Sequence, residues 1–232
     1  ANNNTAVGYH ALDLNTTGVQ NVAVGAEALD ANTTAGDNTA IGFRSMTNTT
    51  TGGDNTGCGD STLHNNTTGN NNTAVGREAL LSNTTGTENT AVGANALDAN
   101  TTADGGAAFG LGALGANTTG AENTSLGTSS MQQNTTGATN VAVGNQALKA
   151  NTTASNNIAV GYKALLSNTT GTQNVAIGAN ALDENTTASN NTAVGYKALL
   201  ANTTGTPNTA VGALALTAVT TSNDNVALGF FA

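Results

Sequence analysis

The chain is 232 residues long and carries 14 acidic against five basic residues, a formal charge of -9, with only 8% of its residues charged and 3% aromatic. Five scattered basic residues exclude an electrostatic footprint for nucleic acid or for an anionic membrane surface. One cysteine, Cys58, excludes an intrachain disulfide framework and a thiolate metal cluster, and no apolar run is long enough to insert into a membrane.

From Asn4 onward the chain repeats a 17-residue unit without insertion or deletion, beginning NTAVGYHALDLNTTGVQ. Thirteen full units cover 4–224 and a partial fourteenth covers 225–232, so 1–232 reads as a single repeat domain. The start at Ala1 without a methionine or signal peptide reads as a segment of a longer protein or a processed form. Low charge alone would suit a disordered segment, but disorder does not require apolar positions to keep register. A unit this short cannot hold the helix pair of the common α-solenoids.

Positions one to five of each unit predict a strand of period two. Thr, Val or Ile at position two and Val or Ile at position four share one face, taken as the core, and Ala at position three takes the other. Cys58 falls in the position-four column and reads as a small core hydrophobe. Position five is invariant glycine: Gly8, Gly25, Gly42, Gly59, Gly76, Gly93, Gly110, Gly127, Gly144, Gly161, Gly178, Gly195, Gly212 and Gly229. A glycine in every unit requires either a positive φ or crowding by the next coil.

Position six holds Tyr9, Phe43, Tyr162, Tyr196 and Phe230, with Arg44, Lys163 and Lys197 following three of them at position seven. Tyr9, Phe43, Arg44, Tyr162, Lys163, Tyr196 and Lys197 are therefore a candidate binding strip for a surface glycan or a protein receptor, the alternative being rings that lean over smaller neighbours. Positions eight to fourteen, as in ALLSNTT, predict a second strand whose Leu or Met at position nine faces the core. Before its two threonines stand Asn15, Asn32, Asn66, Asn83, Asn100, Asn117, Asn134, Asn151, Asn168, Asn185 and Asn202. These asparagines are either N-glycosylation acceptors, which could be occupied on some coils only, or a structural polar ladder.

Neither strand can bury a core alone, so the units must stack. The pattern predicts an all-β fold, a parallel β-solenoid of about 14 coils in which like residues lie about 4.8 Å apart. Small, flat alanines at positions three and eight then predict side-by-side homo-oligomerisation, closed by cyclic symmetry. Phe230 and Phe231 would leave an uncapped end, which predicts that chain follows them or that they belong to a cap.

Catalytic and cofactor chemistry finds little support. His10 and His64 occupy different repeat positions and read as surface residues. Asp13, Asp30, Asp98 and Asp183 share position ten with gaps between coils, which reads as a solvated face, and the calcium-binding nonapeptide is missing. No cofactor, metal site or enzymatic activity is expected. Ranks of Thr and Asn suit an ice-binding face as the alternative function, although adjacent threonines of a strand point to opposite faces.

The Asn-x-Ala-(Val/Ile)-Gly core, as in the segment 157–178, resembles repeats of bacterial and phage tail-fibre-like proteins and the head repeats of trimeric autotransporter adhesins. The resemblance spans the whole chain. It implies a left-handed, trimeric β-roll serving as the shaft or head of an extracellular, cell-surface or virion fibre that spaces or displays a surface-binding function. The Asn-Thr-Thr segment is an enlargement over the usual adhesin unit, and the chain contains neither a chaperone domain nor a membrane anchor.

Overall fold

The computed structural model describes all 232 residues and is a parallel β-solenoid of about 13 turns, with one 17-residue unit per coil and no helix. It divides into two compact units, 1–119 and 120–232. The first holds β1 (Thr5–Val7), β2 (Val22–Val24), β3 (Thr39–Ile41), β4 (Thr56–Cys58), β5 (Thr73–Val75), β6 (Thr90–Val92) and β7 (Ala107–Phe109). The second holds β8 (Thr124–Leu126), β9 (Val141–Val143), β10 (Ile158–Val160), β11 (Val175–Ile177), β12 (Thr192–Val194), β13 (Thr209–Val211) and β14 (Val226–Leu228). Within each unit every strand pairs in parallel with the next at a register of one repeat, as in Thr73↔Thr90 and Ile158↔Val175.

The two faces of each strand are the reverse of the expectation. Position-three alanines such as Ala23, Ala91 and Ala176 are fully buried, whereas Val7 is 59% and Ile41 42% exposed. Cys58 is exposed with them. Hydrophobicity favours Val inward, but the coil is too narrow to hold it. The space opposite position three is already filled by position eight and by the buried Leu or Met column running through Leu29, Met46, Leu63 and Leu80. Coil four records the limit: where position eight grows to Thr62, position three shrinks to Gly57, and a β-carbon there would come within 2.8 Å of Thr62 Oγ1 and 2.7 Å of Ser45 Oγ. The alanines expected to face a partner are therefore the core.

The second predicted strand is not formed either. Position nine adopts the left-handed conformation along the stack, as at Leu80 (φ 53°), so the chain turns inside the run over positions eight to fourteen that was expected to be extended; position seven, just before that run, is left-handed as well, as at Glu78 (φ 60°). A leucine with positive φ costs about 1–2 kcal/mol, and the stack offsets it: Leu80 N–H donates to Ala96 O at 3.0 Å while its side chain is fully buried. Every coil thus keeps inter-coil hydrogen bonds through its turns as well as its strand.

Two asparagine columns complete the interior. At position one, Asn89 Nδ2 donates to Ala103 O at 2.8 Å, and its backbone N–H donates to Asn72 Oδ1 at 3.0 Å. At position twelve, Asn100 Nδ2 donates to Asn83 Oδ1 at 2.8 Å and to Ala103 O at 3.2 Å. The ladder expected from the sequence is therefore present as two buried columns. From Asn32 to Asn202 the position-twelve amides are essentially inaccessible, so the folded coil offers no free Nδ2 for a glycan; only Asn15, in the first coil, is half-buried.

The second ladder has a defect with a testable consequence. Thr49 takes the place of asparagine, and both its Oγ1 and Asn32 Oδ1 are buried without a partner. Thr49→Asn would place a donor beside Asn32 Oδ1, and is expected to stabilise the chain by about 1–2 kcal/mol, read as a raised urea midpoint. An unchanged or lowered midpoint would show that Thr49 fills space an amide cannot.

Candidate functional site

The corner that follows each invariant glycine carries the exposed rings and cations. Positions six and seven stay in register because the N–H of position seven donates to the position-six carbonyl one coil before, as Asn180 to Tyr162 O at 2.9 Å and Lys197 to Ala179 O at 3.0 Å. The left-handed φ at position seven, 54° at Lys163 and 55° at Lys197, swings the cation back beside the preceding ring. Lys163 Nζ lies 5.3 Å from the Tyr162 ring centroid, Lys197 Nζ lies 5.2 Å from that of Tyr196, and Arg44 Cζ lies 4.9 Å from that of Phe43. These are cation–π contacts. Tyr162 and Tyr196 remain 51% exposed.

The candidate strip is thereby resolved into pairs. In the first unit, Tyr9 and Phe43 stand two coils apart with Ala26 between them. The intervening Glu27 accepts from Arg44 Nε at 2.8 Å, so that cation is neutralised locally. In the second unit, Tyr162 and Tyr196 are likewise two coils apart with Ala179 between, but the intervening position seven is the neutral Asn180. Neither lysine there forms an ion pair. Burial pushes the Asp183 carboxyl upward, against the opposing pull of the Lys163 ammonium.

Asp13 and Asp30, taken from sequence as part of an interrupted acidic column, stand in adjacent coils and converge with His10, their ligand atoms lying within 4.8 Å of one another. His10 Nδ1 is 2.9 Å from Asp13 Oδ2, and the Tyr9 ring meets the imidazole edge-on at 4.0 Å between centroids. Of the titratable side chains, these three could best hold a cation, and the cluster is largely exposed. His64 lies apart from it, with Nδ1 3.4 Å from Arg44 O.

Both threonines of each coil have defined roles. The position-thirteen hydroxyl donates to the same residue's carbonyl one coil on, as Thr84 to Thr101 O at 3.0 Å and Thr152 to Thr169 O at 3.2 Å. The position-fourteen threonines face solvent as a single rank. Beyond the corner, the outward face of each sheet is a second surface that the sequence reading missed. Positions one to five hold none of the charged residues in any of the fourteen units, a signal present in the sequence once the face is known to be outward.

The molecule is thus defined as a parallel β-solenoid repeat protein with a neutral sheet face and an aromatic–cationic corner. No protein-family model, curated protein or solved structure matches the chain.

Proposed function

We propose that the chain is a non-enzymatic segment of an extracellular fibre or adhesin, a left-handed β-roll assembled as a trimer, which spaces or displays a surface-binding function. The observation that carries this reading is the outward sheet face. Exposed Val, Ile and Thr side chains form an uncharged ribbon on a chain of net charge -9. A contiguous apolar face of this kind marks an interaction surface, and another copy presents ranks of the same period without opposing charges. Burying it would add apolar area that a single coil, with its thin alanine and leucine core, does not possess.

Light scattering is expected to give three times the 22.6 kDa chain mass. Cys58 sits in the outward rank and reports on the face directly: its thiol should react slowly with a disulfide reagent in the assembly and quickly after dissociation. A 22.6 kDa particle with a freely reactive Cys58 would overturn the assembly. The second reading is an ice-binding solenoid, favoured by the exposed rank of position-fourteen threonines. The buried asparagine ladders cannot contribute to it, and a monomer showing thermal hysteresis would establish it.

A further inference from the structure

We infer that the corner formed by Tyr162, Lys163, Tyr196 and Lys197 is a binding site for an extended, acidic polysaccharide, one whose sugar residues carry carboxylates. The inference rests on reading the chain as a display segment and names the chemistry displayed. Two half-exposed tyrosine rings stand two coils apart, about 9.6 Å by the spacing of stacked strands, with the small Ala179 between them. Two residues of an extended β-linked pyranose chain rise by a similar distance, so rings on alternate coils meet alternate sugars. Aromatic rings supply apolar area that matches the C–H face of a pyranose, and a phenol hydroxyl supplies a polar tip.

Charge selects the class of sugar. All three lysines of the chain lie in the second unit, whereas ten of the 14 acidic residues lie in the first. Each ring of the proposed site carries an ammonium beside it that forms no salt bridge, the Asp183 carboxyl acting on Lys163 only through space. An ammonium so placed is available for a charge-assisted hydrogen bond to a uronate carboxylate while the ring receives the sugar. The corresponding corner of the first unit is closed to this use, because Glu27 already occupies Arg44.

The test uses the intact chain and an alginate hexasaccharide as the acidic probe, with cellohexaose as a neutral probe and polyglutamate as an acidic peptide, each titrated by calorimetry at low salt. Measurable alginate binding is expected, with cellohexaose and polyglutamate each at least about tenfold weaker. Y162A/Y196A and K163Q/K197Q should each weaken alginate binding about tenfold or more, which corresponds to roughly 1.4 kcal/mol. A third variant, A179Y/Y196A, keeps two rings but places them on adjacent coils, and should bind as poorly as Y162A/Y196A. All substitutions lie at exposed or half-exposed corner positions, and an unchanged circular dichroism spectrum confirms the fold. Absence of alginate binding, or binding indifferent to these variants, would overturn the site. Equal binding of cellohexaose would overturn the acidic class, equal binding of polyglutamate would overturn sugar recognition, and retained affinity in A179Y/Y196A would overturn the spacing. Light scattering on the same sample keeps the two proposals apart: a monomer that binds alginate removes the trimer and leaves this site standing, and a trimer that does not bind does the reverse.

Discussion

Gly93→Ala is expected to abolish stable folding of the first unit, at a cost above about 4 kcal/mol. Gly93 has φ 133°, a region that a β-carbon all but forbids. The added carbon would also lie 2.5 Å from Gly110 O and 2.7 Å from Gly110 C, both backbone atoms of the next coil that cannot swing aside. Either relief, moving coil seven away or rotating Gly93, breaks the bond from Gly93 N–H to Val75 O at 2.8 Å or that from Gly110 N–H to Val92 O at 2.8 Å. Since stability in a stacked array is a sum of nearest-neighbour terms, the loss falls on the interface between coils six and seven. Chemical denaturation followed by circular dichroism would measure the loss. Thr102→Ala, an exposed substitution elsewhere on the same coil, should stay within about 0.5 kcal/mol of the parent. A Gly93→Ala chain that kept the parent midpoint would show that this corner has slack which the backbone approach denies.

Asn72→Ala is the second large effect, expected to cost roughly 2–4 kcal/mol. Asn72 is fully buried, and its Oδ1 accepts both the backbone N–H of Asn89 at 3.0 Å and Asn89 Nδ2 at 3.2 Å, while its own Nδ2 donates to Gly86 O at 2.9 Å. Truncation strands the Asn89 N–H without a partner and removes a packed side chain. Gly86 O keeps one amide donor, Asn83 Nδ2 at 3.0 Å, which limits the damage on that side. Hydrogen exchange should show the loss of protection concentrated in coils five to seven, where the severed ladder lies. Protection lost evenly throughout 1–119 would instead mean that the unit unfolds as one cooperative block.

The two variants test different kinds of information. Gly93 was legible from the sequence: glycine in all fourteen units demands a steric cause, and both suggested causes, positive φ and crowding by the next coil, operate at once. Asn72 is the asparagine that opens its unit, as one does in thirteen of the fourteen, and identical amides at a fixed period satisfy one another by stacking. The Tyr162 and Tyr196 corner was visible as a variable position, since the repeat leaves positions six and seven free, but whether its rings stood exposed or leaned over smaller neighbours was open in the sequence. That Arg44 is neutralised by Glu27 while Lys163 and Lys197 are not is a consequence of one-coil register. That fact required the residues to be placed against one another.

What the sequence determined by itself was the repeat, its parallel stacking and the columns that result, because a strict period without insertions admits no other way to satisfy backbone and amide groups. What only the tertiary structure decided was which side of each strand faces inward. Period two separates Ala91 from Val92 but carries no sign, and transfer free energy argues for valine inside. The interior width, already occupied by Leu97 and Ala96, reversed that preference: position three holds alanine in most coils, with only Gly57 and Ser125 as alternatives, and never a valine. Turning Val92 and its counterparts outward is what leaves an uncharged ribbon on the outer face, and it follows from volume rather than from hydrophobicity.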